Sequence, residues 1–243
     1  MTDVTFYGRG LPGLAGTDLP GKLIAVEGQD GVGRSTQVAL LREWLESQGY
    51  AVSSSGLKRS ELAGTGIAEA KSGHTLSEIT MALFYIADLA DRLEREIIPA
   101  LRAGFVVLTD RYVYSLIARF VVRGVDGRWI RSVLGFALVP DAVFYLSCPV
   151  EMLIPRALKS GGFDYWESGM DFSGDSDFFR NYQTYQRRMA AEFSRLGREY
   201  GFYNVDATQP IEGVFADLRD AVSRVVGELK HFPAQPAVLA DRQ

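Results

Sequence analysis

The stretch Leu23-Ile24-Ala25-Val26-Glu27-Gly28-Gln29-Asp30-Gly31-Val32-Gly33-Arg34-Ser35-Thr36-Gln37 constrains the fold more than any other part of the chain. An apolar run ends in a glycine-rich loop, and the loop opens into an amphipathic segment. This reads as strand, loop, helix, with backbone N–H groups of the loop and the helix N-terminus gathered around one anion. From Gly28 to Ser35 the spacing is that of a phosphate-cradling G-x-x-x-x-G-K-[ST] loop, with Arg34 in the lysine position. Ser35 is placed to put a hydroxyl on Mg²⁺, and Asp30 to put a carboxylate inside the cradle.

The rest of the chain supplies the framework such a loop needs. Four more short apolar runs follow, at Tyr50–Ser55, Phe105–Thr109, Ala142–Ser147 and Phe202–Val205, alternating with helical patterns. Strands buried on both faces and separated by helices make an α/β fold, a five-stranded parallel sheet with helices on both faces. The helical segments are Ser35–Gln48, a short piece within Gly56–Gly73, a long one over Leu76–Leu101, two pieces over Val113–Leu138, Val150–Lys159, Phe178–Tyr200 and Ile211–Leu229. In the long segment Ile79, Leu83, Ile86, Leu93 and Ile97 recur at helical spacing. Pro155 is out of place inside Val150–Lys159. Residues 1–20, rich in Gly and Pro, read as an irregular, mobile extension, 21–230 as one domain, and 231–243 as a loose tail. Ser160–Asp177, mixing Gly, Ser, Asp and aromatics, reads as a mobile surface segment; the resemblance given below implies a lid at about 158–175. Its Phe163, Tyr165, Trp166 and Phe172 are expected to pack on the body.

With 243 residues the chain is long enough for a substantial core. A net charge of −4 argues against a nucleic-acid partner, and the arginines, far more numerous than lysines, are scattered. Nothing approaches the ~20 apolar residues of a membrane span. The single Cys148, in an apolar run, cannot form an internal disulfide and is expected to be a buried, inert thiol. A cytoplasmic protein is expected. His74 and His231 have no ligand partners at useful spacing.

Asp110-Arg111 closes the third apolar run, so it shares the sheet edge with the glycine-rich loop. A carboxylate there can order Mg²⁺ or its waters, and the arginine can hold the phosphate of an acceptor.

These motifs, in this order, resemble the thymidylate kinases from about Lys22 to Leu229. Glu27-Gly28-Gln29-Asp30-Gly31 with Ser35-Thr36-Gln37 is similar to the family's E-G-x-D-G-x-G-K-[ST]-T-Q. Ala82–Asp88 with Ile97-Ile98-Pro99-Ala100-Leu101 is similar to its F-A-A-D-R segment and I-x-P-A-L. Asp110-Arg111-Tyr112 with Ser115 matches D-R-[YH]-x-x-S, and Pro140-Asp141, Asp164 and Glu167, and Val205–Pro210 also fit. The resemblance implies ATP as donor, Mg²⁺, and transfer to the 5′-phosphate of dTMP, with a homodimer as the common assembly. By matched position, Gly28, Gly31, Val32, Gly33, Arg34, Ser35 and Thr36 would hold the donor phosphates, and Ser35 and Asp110 the metal. Arg156 and the Asp206-Ala207-Thr208 loop would border the adenine. Asp30 would touch the acceptor sugar and phosphate region, Arg111 its phosphate, Tyr85 its base by stacking, and Ser115 would lie beside the base. Tyr185 falls near a tyrosine that the family gives to the substrate. Apolar Val121-Val122 and Phe136-Ala137-Leu138 fit a dimer surface.

The departures cluster around charge. The arginine of F-A-A-D-R falls on Leu89, with Arg92 a turn later. The A-Y-Q after the D-R-Y serine reads Ala118-Arg119-Phe120. Lid arginines of bacterial members fall on Leu158, Ser160 and Tyr165, leaving Lys159, and the loop after the second strand holds only Lys58 and Arg59. Members without lid arginines carry one at the position of Gly31. Arg34 or Arg119 is then expected to take over the missing cation. Two other readings stay open on these departures: a kinase of a different acceptor, and a nucleotide-binding member with little or no transfer.

Overall fold

The computed structural model describes residues 5–14, 18–57, 60, 63–73, 76–159, 161–163, 165–173, 176–227 and 229. Lys58, Arg59, His74, Ser160, Asp164 and the tail 231–243 lie outside them.

Five strands, β1 (Lys22–Gly28), β2 (Val52–Gly56), β3 (Val106–Asp110), β4 (Ala142–Ser147) and β5 (Tyr203–Asp206), form one sheet in the order β2-β3-β1-β4-β5. Every pairing is parallel. Side chains alternate across the sheet, as the strand period requires. Leu23 and Ala25 enter one core layer with helices α2 (Gly64–Gly73), α3 (Glu78–Arg92), α4 (Ile98–Arg102), α5 (Val113–Val122), α6 (Gly127–Val133) and α9 (Phe178–Tyr200). Ile24 and Val26 enter the other, with α1 (Arg34–Ser47) and α10 (Ile211–Val226). Helix α7 (Val150–Lys159) sends Leu153 into this second layer and leads into the lid, and α8 (Met170–Ser173) lies within the lid.

The expected elements are present, most with bounds moved by a residue or two; the last helix ends at Val226, three residues before its expected end. The helix expected over Leu76–Leu101 is broken: α3 passes into a π turn at Leu93–Ile97 before α4. Pro99, near the start of α4, has no N–H to give to the carbonyl four residues back, so the ladder slips register there. Its buried stripe runs through Ala82, Tyr85, Ile86, Leu89, Leu93 and Ile97, whereas Ile79 and Leu83 lie on the flank, 46% and 45% exposed. Helix α7 does run through Pro155. The carbonyl that Pro155 cannot serve belongs to Glu151, an exposed first-turn residue.

The N-terminal segment, expected to be irregular and mobile, is bound to the body over residues 5–14. Phe6 bridges Leu138, Tyr7 N–H donates to Ala137 O at 3.1 Å and Gly10 N–H to Gly135 O at 3.2 Å. This covers Ala137 and Leu138, which are therefore not the free apolar surface that the sequence suggested.

The register puts the chemistry at one edge. Val26 and Gly56 both sit opposite Asp110, and Gly28 sits opposite Leu146. The carboxyl ends of β1, β2 and β3 thus open onto one cleft.

Candidate active site

The glycine-rich loop leaves β1 at Gly28, whose φ of 153° and close neighbours exclude a side chain: a Cβ would sit 2.9 Å from both Leu146 O and Val32 Cγ1. Gly33 caps α1 in the left-handed region, at φ 102°, with no side-chain hydrogen bond to the helix N–H groups. Those first-turn donors have no intrahelical partner, and with the helix dipole behind them they suit an anion. Thr36 lies exposed in this turn.

Arg34 does not follow the course expected of a cradle cation. It turns back beneath the loop, where Nε donates to Asp110 Oδ1 at 2.8 Å and Nη1 to Gly28 O at 2.7 Å and to Gln29 O. Ser35 Oγ donates to the other Asp110 oxygen at 2.6 Å. Burial works against the Asp110 charge, but Arg34 and Ser35 outweigh it and hold the carboxyl below its ordinary range. The Ser35 hydroxyl and the Asp110 carboxylate, side by side, are hard oxygen donors of the kind that could hold Mg²⁺. Among the described residues no cluster of three His, Cys, Asp or Glu side chains offers a metal a cage of its own.

Across the loop, Asp30 is the hub of an arginine cluster. Its Oδ1 pairs with Arg111 Nη2 and, at 2.9 Å, with Arg119 Nη2. Burial alone would raise its pKa; the guanidinium groups of Arg111, Arg119 and Arg34 drive it far below the usual carboxylate range. Arg111 has φ 72°, the one positive value among the described non-glycine residues. A non-glycine residue there carries about 1–2 kcal/mol of strain. The conformation is held by Arg111 N–H to Val26 O at 3.0 Å and by Thr109 Oγ1 donating to Arg111 O at 2.6 Å. Burial and the charge of Arg34 bring the Arg111 guanidinium down to about 10, against the pull of Asp30, so it stays cationic near neutrality.

Ser115, expected beside a base, is instead completely buried under this cluster. Its Oγ accepts from Arg111 Nη1 at 3.0 Å and donates to Glu27 Oε2. Glu27, which the motif contains without an assigned role, is the support of this cluster. Its Oε1 accepts the N–H groups of Tyr112 at 2.8 Å and Ser115 at 3.2 Å, so it anchors the start of α5. Burial raises its pKa, although Ser115 and Arg111 oppose the shift. The signal was available: a carboxylate in an otherwise apolar strand is inside only if it is bonded.

Two clefts meet at Arg119. One, of about 610 Å³, is lined by Asp30, Arg34, Asp110, Arg111 and Arg119, with Lys71, Tyr85 and Glu167. The other, of about 500 Å³, is more apolar and includes Met81, Tyr85, Phe120 and Trp166. Tyr85 belongs to both and meets Phe120 edge-on at 6.0 Å. An aromatic wall beyond a cationic cleft is the shape of a nucleotide's base and phosphate.

The lid closes over the second cleft through Arg123, which the sequence reading missed. Arg123 grips Asp171 through Nε at 2.6 Å and Nη2 at 3.1 Å, donates to Trp166 O at 2.9 Å, and bonds the Tyr185 hydroxyl at 2.6 Å. Its position one helical turn after Arg119 was the only clue. Tyr185 is thus a buried support for Arg123. The lid aromatics pack on the body as expected, Phe163 on Tyr182 with ring centres 4.5 Å apart and Phe172 on Tyr185 at 5.9 Å. Lys159 is exposed at the end of α7.

On the far side of the loop, Arg156 spans two segments, donating to Val32 O at 3.3 Å and Ala207 O at 3.0 Å. Asp206 accepts Thr208 N–H at 2.9 Å, which shapes the turn, and the Thr208 hydroxyl together with that N–H lowers the Asp206 pKa. Arg156 and the 206–208 loop therefore border one space beside the cradle. Arg92 does not stand in for an arginine at Leu89. Both side chains are fully buried, and Arg92 bonds Asp88 Oδ2 and Ser55 Oγ, each at 3.0 Å. Cys148 is buried and its pKa is raised by burial, so it is not an activated thiol.

A central strand feeding a glycine-rich loop, a hydroxyl–carboxylate corner and an arginine-rich cleft on one sheet edge define a P-loop phosphotransferase fold. The thymidylate kinase family model matches residues 26–218. The chain is 36% identical over 210 residues to a probable thymidylate kinase 2 of Saccharolobus solfataricus, covering 86% of this chain and 96% of that protein. It is 40% identical over 145 residues to a probable thymidylate kinase of Thermococcus kodakarensis (55% and 69%), and 29% identical over 217 residues to a thymidylate kinase of Shouchella clausii (85% and 96%). This chain belongs to the thymidylate kinase family.

Proposed function

We propose that the protein transfers the γ-phosphoryl group of ATP to the 5′-phosphate of dTMP, giving ADP and dTDP. The observation that carries this reading is the junction at Asp30, where the phosphate loop, Arg111 and Arg119 meet between the donor cradle and the Tyr85 pocket. Transfer between phosphates asks for positioning and charge neutralisation rather than covalent help. The N–H groups around Gly28, Gly31, Val32, Gly33, Ser35 and Thr36 would hold the donor phosphates. Arg156 with Asp206, Ala207 and Thr208 would border the adenine. Ser35 and Asp110 would hold Mg²⁺, which supplies charge neutralisation when bound. Arg111 would bind the acceptor phosphate, Asp30 and Arg119 would stand at its sugar, and Tyr85 would stack on the base. Ser115 and Tyr185 would act from behind, through Arg111 and Arg123.

The reading includes a soluble cytoplasmic enzyme working as a homodimer. Among the described residues no helix is long and apolar enough to cross a membrane. Ile79, Leu83 and Phe84, exposed together on α3, offer an apolar face to a second copy.

Incubation with ATP, Mg²⁺ and a panel of nucleoside monophosphates, following ADP formation, tests the reaction. Turnover selective for dTMP is the expected result. Turnover only with another acceptor, or ATP binding without turnover, overturns it.

A further inference from the structure

The N-terminal segment reaches the arginine cluster from behind. Val139 N–H donates to Thr5 O at 2.9 Å, and Tyr7 and Gly10 give their own N–H groups to Ala137 O and Gly135 O. Phe6 bridges Leu138, and Leu138 O also accepts the Tyr112 hydroxyl at 3.0 Å. Tyr112 is fully buried and stands directly before α5, so Leu138 ties the segment to the start of that helix.

Tyr114, 1% exposed, makes the second tie. Its hydroxyl meets that of Tyr7 and has no other hydrogen-bond partner among the described residues. Its ring lies against Tyr200 and Phe202, with centres 5.3 and 4.6 Å away, and Tyr7 closes edge-on over Tyr200. Phe6, Tyr7 and Leu11 all pack against the core layer that contains α5.

Tyr112 and Tyr114 belong to the turn that presents Arg111. On the side of β1 the same turn is held by Glu27, which takes the N–H groups of Tyr112 and Ser115. Arg111 stands at φ 72°, a conformation that lasts only where the surroundings over-determine it. One part of that determination comes from Glu27. The other comes from a segment that lies before the residues matched by the family model. A buried phenol hydroxyl that loses its partner must find water or move. Tyr114 could reach water only by leaving Tyr200 and Phe202, and the first turn of α5 would move with it.

We propose that Tyr7 is a positioning residue for the acceptor: through Tyr114, and with Phe6 on Leu138, it fixes the turn 111–115 and so the direction of the Arg111 guanidinium. It touches no reacting atom. This rests on the kinase reading above for the part played by Arg111.

The test compares the parent with Tyr7→Ala by calorimetric titration with dTMP and with ADP, by thermal unfolding, and by amide hydrogen exchange followed by NMR. The dissociation constant for dTMP is expected to rise about tenfold, the order of loosening one charged hydrogen bond, and that for ADP to stay within about threefold. Exchange at the N–H groups of Tyr112 and Ser115 should quicken by about tenfold more than any change in α1 and α10, which lie in the core layer across the sheet. Parent-like dTMP affinity overturns the proposal, and so does unchanged exchange at Tyr112 and Ser115. Equal losses of dTMP and ADP affinity, with exchange quickened alike in both layers, overturn it as well, since a merely structural role would give that result. If Tyr7→Ala does not fold, Tyr7→Leu carries the same comparisons. A parent that does not bind dTMP overturns the kinase reading instead, and the exchange comparison then still decides whether Tyr7 holds the turn.

Discussion

Glu27, at the end of β1, and Asp30, three residues on in the loop, have pKa values shifted in opposite directions. Glu27 holds backbone N–H groups of Tyr112 and Ser115 in a fully buried place. Glu27→Ala leaves those donors and the Ser115 hydroxyl bare, and is expected to cost about 2–4 kcal/mol of stability, read as a lower urea midpoint with unchanged slope. The pH dependence follows from the two shifts. The folded pKa of Asp30 is depressed, so its contribution is present above the free-carboxylate range and is lost as pH falls through the folded value. The folded pKa of Glu27 is raised, so its ionisation costs stability as pH climbs from its unfolded toward its folded value. Relative to the parent, Asp30→Asn should therefore lose less stability at pH 4 than at pH 7, and Glu27→Gln should lose more. Urea midpoints at both values check this, and a common sign for the two variants would refute it.

At the scale of elements, α5 joins the arginine-lined cleft to the lid. Its start is anchored by Glu27, Arg119 turns to Asp30, and Arg123 one turn later grips Asp171, Trp166 O and Tyr185. Arg123→Met keeps much of the packing over Phe172 and Tyr185 but removes the polar ties of Arg123 to the lid, leaving those from Trp166 to Lys71 O and from Gln186 to Glu167 O. The KM for dTMP is expected to rise about tenfold, equivalent to about 1.4 kcal/mol. Limited proteolysis between residues 160 and 175 should quicken, while the KM for ATP stays near the parent value. A parent-like digestion pattern would mean that the lid does not depend on Arg123. The helix itself was legible from apolar spacing; its role as a brace was not, because periodicity tells which face is buried and not which carboxylate an arginine finds.

For the whole molecule, the bound N-terminal segment is the feature that lies before the family match, which begins at residue 26. Tyr7 packs edge-on against Tyr114 at 6.1 Å and Tyr200 at 5.6 Å, and its hydroxyl meets that of Tyr114. Gly8 lies so close to Gly135 that a Cβ would stand 3.0 Å from its Cα. Removal of residues 1–14 is expected to cost about 2 kcal/mol, a fall in Tm of about 4–8 °C for a domain of this size, measured by calorimetry. An unchanged Tm would show that the segment contributes nothing. Nothing in its Gly- and Pro-rich composition announced this contact, because the partner surface is made by residues more than a hundred positions away.

The sequence by itself determined the five-stranded parallel sheet, the phosphate loop at Gly28–Thr36 and the placing of Asp110-Arg111 on the same edge. Those follow from local properties: apolar runs, helical spacing, and glycines where the backbone must turn sharply. Only the tertiary structure decided that Arg34 lies back under the loop against Asp110, that Ser115 serves Glu27 and Arg111, and that Arg92 is locked to Asp88. A long charged side chain takes its direction from whichever buried partner offsets the cost of removing it from water, and that partner is found by packing rather than by spacing.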